Sequence, residues 1–174
     1  REARALAQVD SPHVVRVHAA GVHAANPYIV MEYLTGTDLA HRLKSGWRPG
    51  PDEALDVVLE ATRGLRAVHE RGIVHRDIKP ANLMITADEV VKLMDFSLVR
   101  LAQEAEMTKS GAVMGTAHYF SPEQAHGLRC DDRSDVYSLG VVFYELLSGK
   151  VPFSSSDIAT LMFQHAYIPP PPLR

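Results

Sequence analysis

Residues 133–148, RSDVYSLGVVFYELLS, carry apolar side chains on nearly every face of a helix. Such a helix has no solvent side and is expected at the centre of the fold, buried all round. Gly149 follows directly and supplies the stop, since glycine takes the left-handed conformation of a helix end without penalty. Enclosing this helix requires one sizeable core, and 174 residues are enough for one domain and too few for several. The apolar fraction of 46% and charged fraction of 22% fit a packed globular chain rather than a disordered or collagenous one. Eighteen basic against 21 acidic side chains leave a formal charge of −3, which offers nucleic acid no broad cationic face and a membrane no polybasic anchor. No stretch approaches the roughly 18 apolar residues of a membrane span. The segment is therefore expected in the cytoplasm, and its parent is free to be anchored elsewhere along its length. The single cysteine, Cys130, reads as an idle or buried thiol of a reducing compartment.

The rest of the chain divides into recognisable elements. REARALAQ at 1–8 is rich in helix formers and is stopped by Asp10, Ser11 and Pro12. Val14, Val15 and Val17, then Tyr28 to Met31, are β-prone runs on either side of Ala25-Asn26-Pro27, which predicts a hairpin. Between Pro51 and Glu70, Leu55, Val58, Leu59, Thr62, Leu65 and His69 recur at helical spacing, with Pro51 in the first turn and Gly72 as the stop. Those six side chains are the expected buried face. Short β-like pieces come next at Ile73 and Val74, Leu83 to Ile85, and Val90 to Met94, around a polar loop at 75–82. Asp157 to Ala166 reads as a last amphipathic helix, and Pro169 to Pro172 as a rigid extended connector. His13, His18 and His23 recur evenly, but a five-residue period shares no face of a helix or strand, so metal binding by them is not expected.

The chemistry concentrates in His75-Arg76-Asp77-Ile78-Lys79-Pro80-Ala81-Asn82 and, after a short hairpin, Asp95-Phe96-Ser97. Phosphoryl transfer needs a carboxylate to take or orient a hydroxyl proton, and oxygen ligands for a magnesium ion that offsets charge on the phosphate. Asp77 fits the first role, and Asn82 and Asp95 the second. Either loop alone could be a polar turn; both in order are a specific pattern.

These motifs resemble the protein kinase family, and the match covers nearly the whole chain. The resemblance implies an α+β, two-lobed fold, with 1–34 as a remnant of the N-lobe and hinge and 35–174 as a C-lobe without its last helices. It implies an ATP-dependent protein kinase using Mg²⁺, or Mn²⁺ in its place, on Ser or Thr of a protein substrate. Lys79 resembles the Ser/Thr branch, where it helps hold the transferred phosphate. Ser121-Pro122-Glu123 resembles the family's APE, and Gly115-Thr116 its substrate-pocket signature, with Thr116 near Asp77 and Lys79. Asp135 resembles the buried helix aspartate that holds the catalytic loop. Met31-Glu32-Tyr33-Leu34 resembles the gatekeeper and hinge, which implies adenine pairing by the Glu32 carbonyl and Leu34 N–H, Asp38 near the ribose and Met84 under the base. Glu2 matches the glutamate that pairs with the phosphate-binding lysine. Leu6, Val17, His75 and Phe96 match the apolar stack linking the lobes. The wording of REARALAQVDSPHVVRV and GTAHYFSPEQA is most similar to bacterial eukaryotic-like Ser/Thr kinases.

Three departures from the family pattern bear on activity and stability. The glycine-rich strand and the lysine partner of Glu2 should precede Arg1, so the segment alone is expected to bind nucleotide weakly and transfer no phosphate. The arginine that usually pairs with Glu123 should lie beyond Arg174, which leaves Glu123 as an expected buried, unpaired charge. Ser97 stands where the family has glycine, a position that uses glycine's backbone freedom. Ser97 is the support for a rival reading, a pseudokinase that binds or scaffolds without transfer. A small-molecule kinase is a third reading, and it should lack the SPE and RSD elements. Arg76 beside Asp77 predicts a regulatory anion, supplied by phosphorylation of Thr108 or Ser110, and a homodimer would serve such autophosphorylation.

Overall fold

The computed structural model describes residues 5–24, 26–96 and 112–173. It is an α+β arrangement of two small antiparallel sheets and helices around one main apolar core. Strand β1 (Val17–His23) pairs with β2 (Asn26–Met31). The turn comes earlier than expected, at Ala24 with φ 46, so that Asn26 and Pro27 lie in β2 opposite His23 and Val22. A two-stranded sheet gives each strand a free edge, and proline's missing N–H is tolerated there. Val14 and Val15 are not part of this hairpin. They run parallel to a later strand, with Val15 N–H donating to the Leu93 carbonyl at 2.9 Å and Leu93 N–H to that of His13 at 2.9 Å.

The second sheet has the order β3-β4-β5, formed by Gly36–Asp38, Leu83–Thr86 and Val91–Leu93. Gly36 permits it: a Cβ there would sit 2.2 Å from the Ile85 carbonyl oxygen, at a φ of 155. Ile73 and Val74 form no strand, although Ile73 is buried in the core.

Helix α1 (Leu39–Lys44) is capped by the Asp38 carboxylate, which accepts from His41 N–H. Helix α2 (Pro51–His69) starts on Pro51 as expected, but its buried face is Ala54, Val57, Ala61, Gly64, Leu65 and Val68. Of the six expected positions Leu65 is buried, while Leu55 and Leu59 are 44% and 45% exposed. Close approach decided the face rather than side-chain size. A Cβ on Gly64 would meet the His13 carbonyl oxygen at 2.5 Å, so the small residues let α2 lie directly on the 13–15 segment and β5.

After a 3-10 turn (Pro80–Asn82) and the short helices α3 (Ala112–Ala117) and α4 (Pro122–Ala125) comes α5 (Asp132–Ser148), ended by Gly149 in the left-handed region at φ 74. Packing against α2 and α4 buries Ser134, Asp135, Ser138, Leu139, Val141, Val142 and Leu146. It is not enclosed on every side, since Val136 is 63% exposed. The expectation failed because three of its buried positions are small or charged polar groups with bonding partners, not apolar ones. Helix α6 (Ile158–Tyr167), capped by Asp157, packs on α3 and α4 through Leu161 and His165. Residues 169–172 are exposed and outside regular structure.

Candidate active site

Asp135 organises the site from below. It is 1% exposed, and its carboxylate accepts from the backbone N–H of His75 at 2.8 Å, that of Arg76 at 2.7 Å and the ring of His69 at 2.7 Å. A buried carboxylate is tolerated only with such charge-assisted bonds, and here they fix the backbone of the loop entering the motif. Arg76 is thereby held at a φ of 64, in the left-handed region that costs a non-glycine residue about 1–3 kcal/mol. Asp95, with φ 51, is the second such residue in the motifs.

His75 is fully buried and packs against Phe96, with ring centroids 4.5 Å apart and the planes tilted by 43°. Its Nε2 lies 2.8 Å from the Met94 carbonyl, and its Nδ1 is 3.3 Å from Asp77 N–H. These partners require a neutral ring, a donor at Nε2 and an acceptor at Nδ1. Burial supports that state by pushing the His75 pKa down, against the pull of the Asp135 carboxylate. One imidazole thus ties the strand leading into Asp95 to the backbone of Asp77. Leu6 and Val17, the remaining members of the expected stack, are buried in the same core as Phe96.

Asp77, Lys79, Asn82 and Thr116 form a single bonded group. Lys79 Nζ donates to Asp77 Oδ2 at 3.0 Å and to Thr116 Oγ1 at 3.0 Å. Asn82 Nδ2 donates to the Asp77 carbonyl at 2.7 Å and to Asp77 Oδ2 at 3.1 Å. With both amide protons directed at Asp77, the amide oxygen of Asn82 is its remaining ligand atom. Met94 N–H donates to the Asn82 carbonyl at 2.9 Å, which sets Asp95 beside Asn82 in the chain path. An amide oxygen and an exposed carboxylate are hard oxygen donors of the kind that magnesium selects, so the residues present fit that ion.

The Ser121-Pro122-Glu123 segment is docked rather than strained. Ser121 and Gln124 cap α4 reciprocally, and Gln124 Nε2 donates to the Arg76 carbonyl at 2.9 Å. Glu123 is half-buried and accepts a short hydrogen bond from the Ser134 hydroxyl, so it is neither fully buried nor unpaired. The first residues of α5 turn a hydroxyl toward it, a pairing for which the motif spacing offers no signal.

On the other side, Glu32 Oε1 accepts from Arg16 N–H at 2.8 Å and from Lys92 Nζ at 2.7 Å. Burial acts against this carboxylate, yet the Lys92 and Arg16 bonds together hold its pKa below the ordinary value. Leu34 packs against the core, and Asp38 and Met84 stand opposite each other in the β3–β4 register. The expected nucleotide residues thus run from the hinge edge, the end of β2 through the edge strand β3, onto the central strand β4. Glu2, Ser97, Thr108 and Ser110 lie outside the described residues.

Sequence reasoning missed His69, Gln124, Lys92, Tyr119 and Glu145. His69 counted as a helix-face residue, yet it is a ligand of Asp135. Its signal was available, since a polar side chain at an apolar helix position calls for a buried partner.

A family model described as the protein kinase domain matches residues 1–168. The serine/threonine-protein kinase PknB of Mycobacterium leprae is 42% identical over 177 residues, which cover 99% of this chain and 28% of that protein. PknB of Mycobacterium tuberculosis is 42% identical over 178 residues, with the same two coverages of 99% and 28%. The serine/threonine-protein kinases drp72 of Corynebacterium efficiens is 42% identical over 176 residues, 98% of this chain and 34% of that protein. The chain thus spans about a third or less of the length of these relatives. A match over nearly every residue, on a site whose motif residues are bonded to one another, has one conclusion: this chain belongs to the protein kinase family.

Proposed function

We propose that the protein carrying this chain is an ATP-dependent protein kinase that phosphorylates Ser or Thr hydroxyls. The observation that carries the reading is the Lys79 ammonium bridging Asp77 Oδ2 and Thr116 Oγ1. It joins a base, a cation for the transferred phosphate and the residue that borders the acceptor. Asp77 orients the incoming hydroxyl and accepts its proton as the oxygen bonds to the γ-phosphorus and the bond to the β-phosphate oxygen breaks, releasing ADP. Lys79 lies where it can balance charge on the γ-phosphate. Asn82 and Asp95 would hold Mg²⁺, which supplies charge neutralisation when bound.

ATP would lie along the hinge edge, with adenine on the Glu32 carbonyl and Leu34 N–H, the ribose near Asp38 and the base above Met84. Asp38 Oδ1 caps α1, which leaves Oδ2 for the sugar. The bonded group of Asp77, Lys79 and Asn82 argues against a scaffold without transfer. Phosphate on Thr108 or Ser110 would pair with Arg76 and switch the enzyme, with a homodimer serving autophosphorylation. No helix among the described residues is long and apolar enough to cross a membrane, and the cytoplasm is the proposed compartment for this segment. The test is transfer of labelled γ-phosphate from Mg·ATP to casein by the intact protein, followed by phosphoamino-acid analysis. Label on serine or threonine, lost with Asp77→Asn, is the expected result. Equal labelling by the Asp77→Asn protein would sink the role of Asp77.

A further inference from the structure

The Asp77 carboxylate hangs from a backbone that is held one peptide unit at a time. Asp135 accepts from His75 N–H and Arg76 N–H, which fixes the units 74–75 and 75–76. On the far side, Asn82 Nδ2 holds the Asp77 carbonyl at 2.7 Å, which fixes the unit 77–78. Between them lies the unit 76–77, a rigid plane whose rotation about ψ of Arg76 and φ of Asp77 would swing the Asp77 side chain. Two side chains grip it from opposite ends. Asp77 N–H donates to His75 Nδ1 at 3.3 Å, and Gln124 Nε2 donates to the Arg76 carbonyl at 2.9 Å, the shorter of the two bonds. The grip matters because Arg76 stands at φ 64, a strained position that persists only where its surroundings enforce it.

Gln124 suits this place because its amide carries an acceptor and a donor in one plane. Oε1 accepts from Ser121 N–H at 3.0 Å and closes the cap of α4, while Nε2 reaches across to the loop. The cap does not itself call for glutamine, since Glu and Gln both serve there in a capping box. The bond to Arg76 does, because a carboxylate has no proton to donate. Helix α4 is docked in turn: Glu123 accepts from the Ser134 hydroxyl on α5, and His126 Nε2 lies 2.9 Å from the Tyr167 hydroxyl on α6. The segment from Thr116 to Gln124 therefore holds the loop on both sides of Asp77, through Lys79 and through Arg76.

Building on the kinase reading, we propose that Gln124 is a positioning residue for Asp77. It sets the peptide unit that carries the carboxylate, and it makes that setting depend on the docking of residues 121–124. Its action is through the Arg76 carbonyl, not on the reacting atoms.

Two substitutions in the intact protein separate this role from the cap. Gln124→Glu keeps an acceptor for Ser121 N–H and removes the donor to Arg76, whereas Gln124→Met, uncharged and of similar length, removes both. Turnover of Mg·ATP with a Thr peptide gives kcat and KM, and urea unfolding gives the midpoint. In both variants kcat should fall about ten- to thirtyfold, the scale of a small misplacement of a catalytic group, with both KM values within about twofold. The midpoint should drop in Gln124→Met and stay in place in Gln124→Glu. Activity lost without stability is a result that a merely structural glutamine would not give, and the fall in the neutral Met variant excludes the added charge as its cause. Three results overturn the positioning role: kcat within about twofold of the unmodified protein in Gln124→Glu, a fall confined to Gln124→Met and matched by its midpoint, or a rise in KM at unchanged kcat. Should neither variant fold, the Gln124 side-chain amide of the unmodified protein decides. Its protons should exchange with solvent at least about tenfold more slowly than those of the exposed Gln8, and equal rates overturn the bridge. No transfer by the unmodified protein overturns the kinase reading, and this role with it.

Discussion

The catalytic loop and the hinge edge are both expected to touch ATP, yet they are held in opposite ways. Groups from distant parts of the chain fix the loop at 75–82: Asp135 on α5, Met94 after β5, Thr116 on α3 and Gln124 on α4. Its anchoring atoms are buried, and two residues in or beside it are held at unfavourable positive φ. The hinge edge is held mainly at its start, by the Glu32 carboxylate on Arg16 and Lys92, and Tyr33 beside it is 91% exposed. Asp38 caps its own helix through one carboxylate oxygen. The difference comes from the groups that each region must present. On the proposed reading the loop would present side chains at fixed angles and need a rigid support, whereas the hinge would present backbone groups that need only an extended chain.

Asp77→Asn should separate the two regions most sharply. It removes the base without touching the hinge, so phosphoryl transfer should fall about a thousandfold. Nucleotide affinity, read by calorimetry on the intact protein, should stay within about threefold. Loss of nucleotide binding would instead merge the two regions.

Next in size is Asp135→Ala. It leaves the His75 and Arg76 N–H groups buried without their acceptor, at about 1–3 kcal/mol each, and should lower stability in urea by about 2–4 kcal/mol. Glu32→Gln, the matching change at the hinge, removes a partly buried ion pair but keeps an amide oxygen to accept from Arg16 N–H and Lys92, and should cost about 1 kcal/mol. Similar losses from both would erase the contrast.

Acid should act on the loop before the hinge. Burial lowers the pKa of His75, and lowers that of His165, on α6, to about 4. Both are neutral in the folded protein while an unfolded histidine takes up a proton near pH 6.5. Below that pH the unfolded state binds more protons, so stability is complete above about pH 6.5 and falls as pH drops toward about 4 for His165, with His75 adding to the loss in the same direction. His75→Gln should flatten part of this slope in a urea titration. Glu32, with its pKa lowered, keeps its stabilising contribution through this range and loses it only at lower pH, as the carboxylate is protonated. An unchanged slope in the His75→Gln protein would contradict a neutral, buried His75.

The same contrast explains how much could be read from the sequence. The loop was legible because its expected roles call for particular side chains: Asp135 bonds the loop backbone and Thr116 bonds Lys79 beside Asp77, as the resemblance implied, while the bonds of Asn82 to Asp77 were not foreseen. Helix existence was legible for α2, α5 and α6 from apolar spacing and end signals. The buried face of α2 was not, because small residues at Ala54, Ala61 and Gly64 set a close approach that counting large apolar side chains overlooks. The hairpin turn was misplaced because Asn26 and Pro27 have turn propensity but tolerate an edge strand. Gln124 and Lys92 were missed because their partners lie 48 and 60 residues away and no local pattern records such pairings, whereas His69 stood at an apolar helix position that signals a buried partner without saying which.

Amide hydrogen exchange at His75, Arg76 and Leu34 in the intact protein tests the shared cause most directly. If Asp135 fixes the loop, the His75 and Arg76 amides exchange slowly, at least about a hundredfold behind Leu34 after correction for intrinsic rates. Asp135→Ala, which removes both acceptor oxygens, should then release those two amides and leave Leu34 unchanged. Fast exchange at His75 and Arg76 in the unmodified protein, or protection that survives Asp135→Ala, would contradict a loop held from α5.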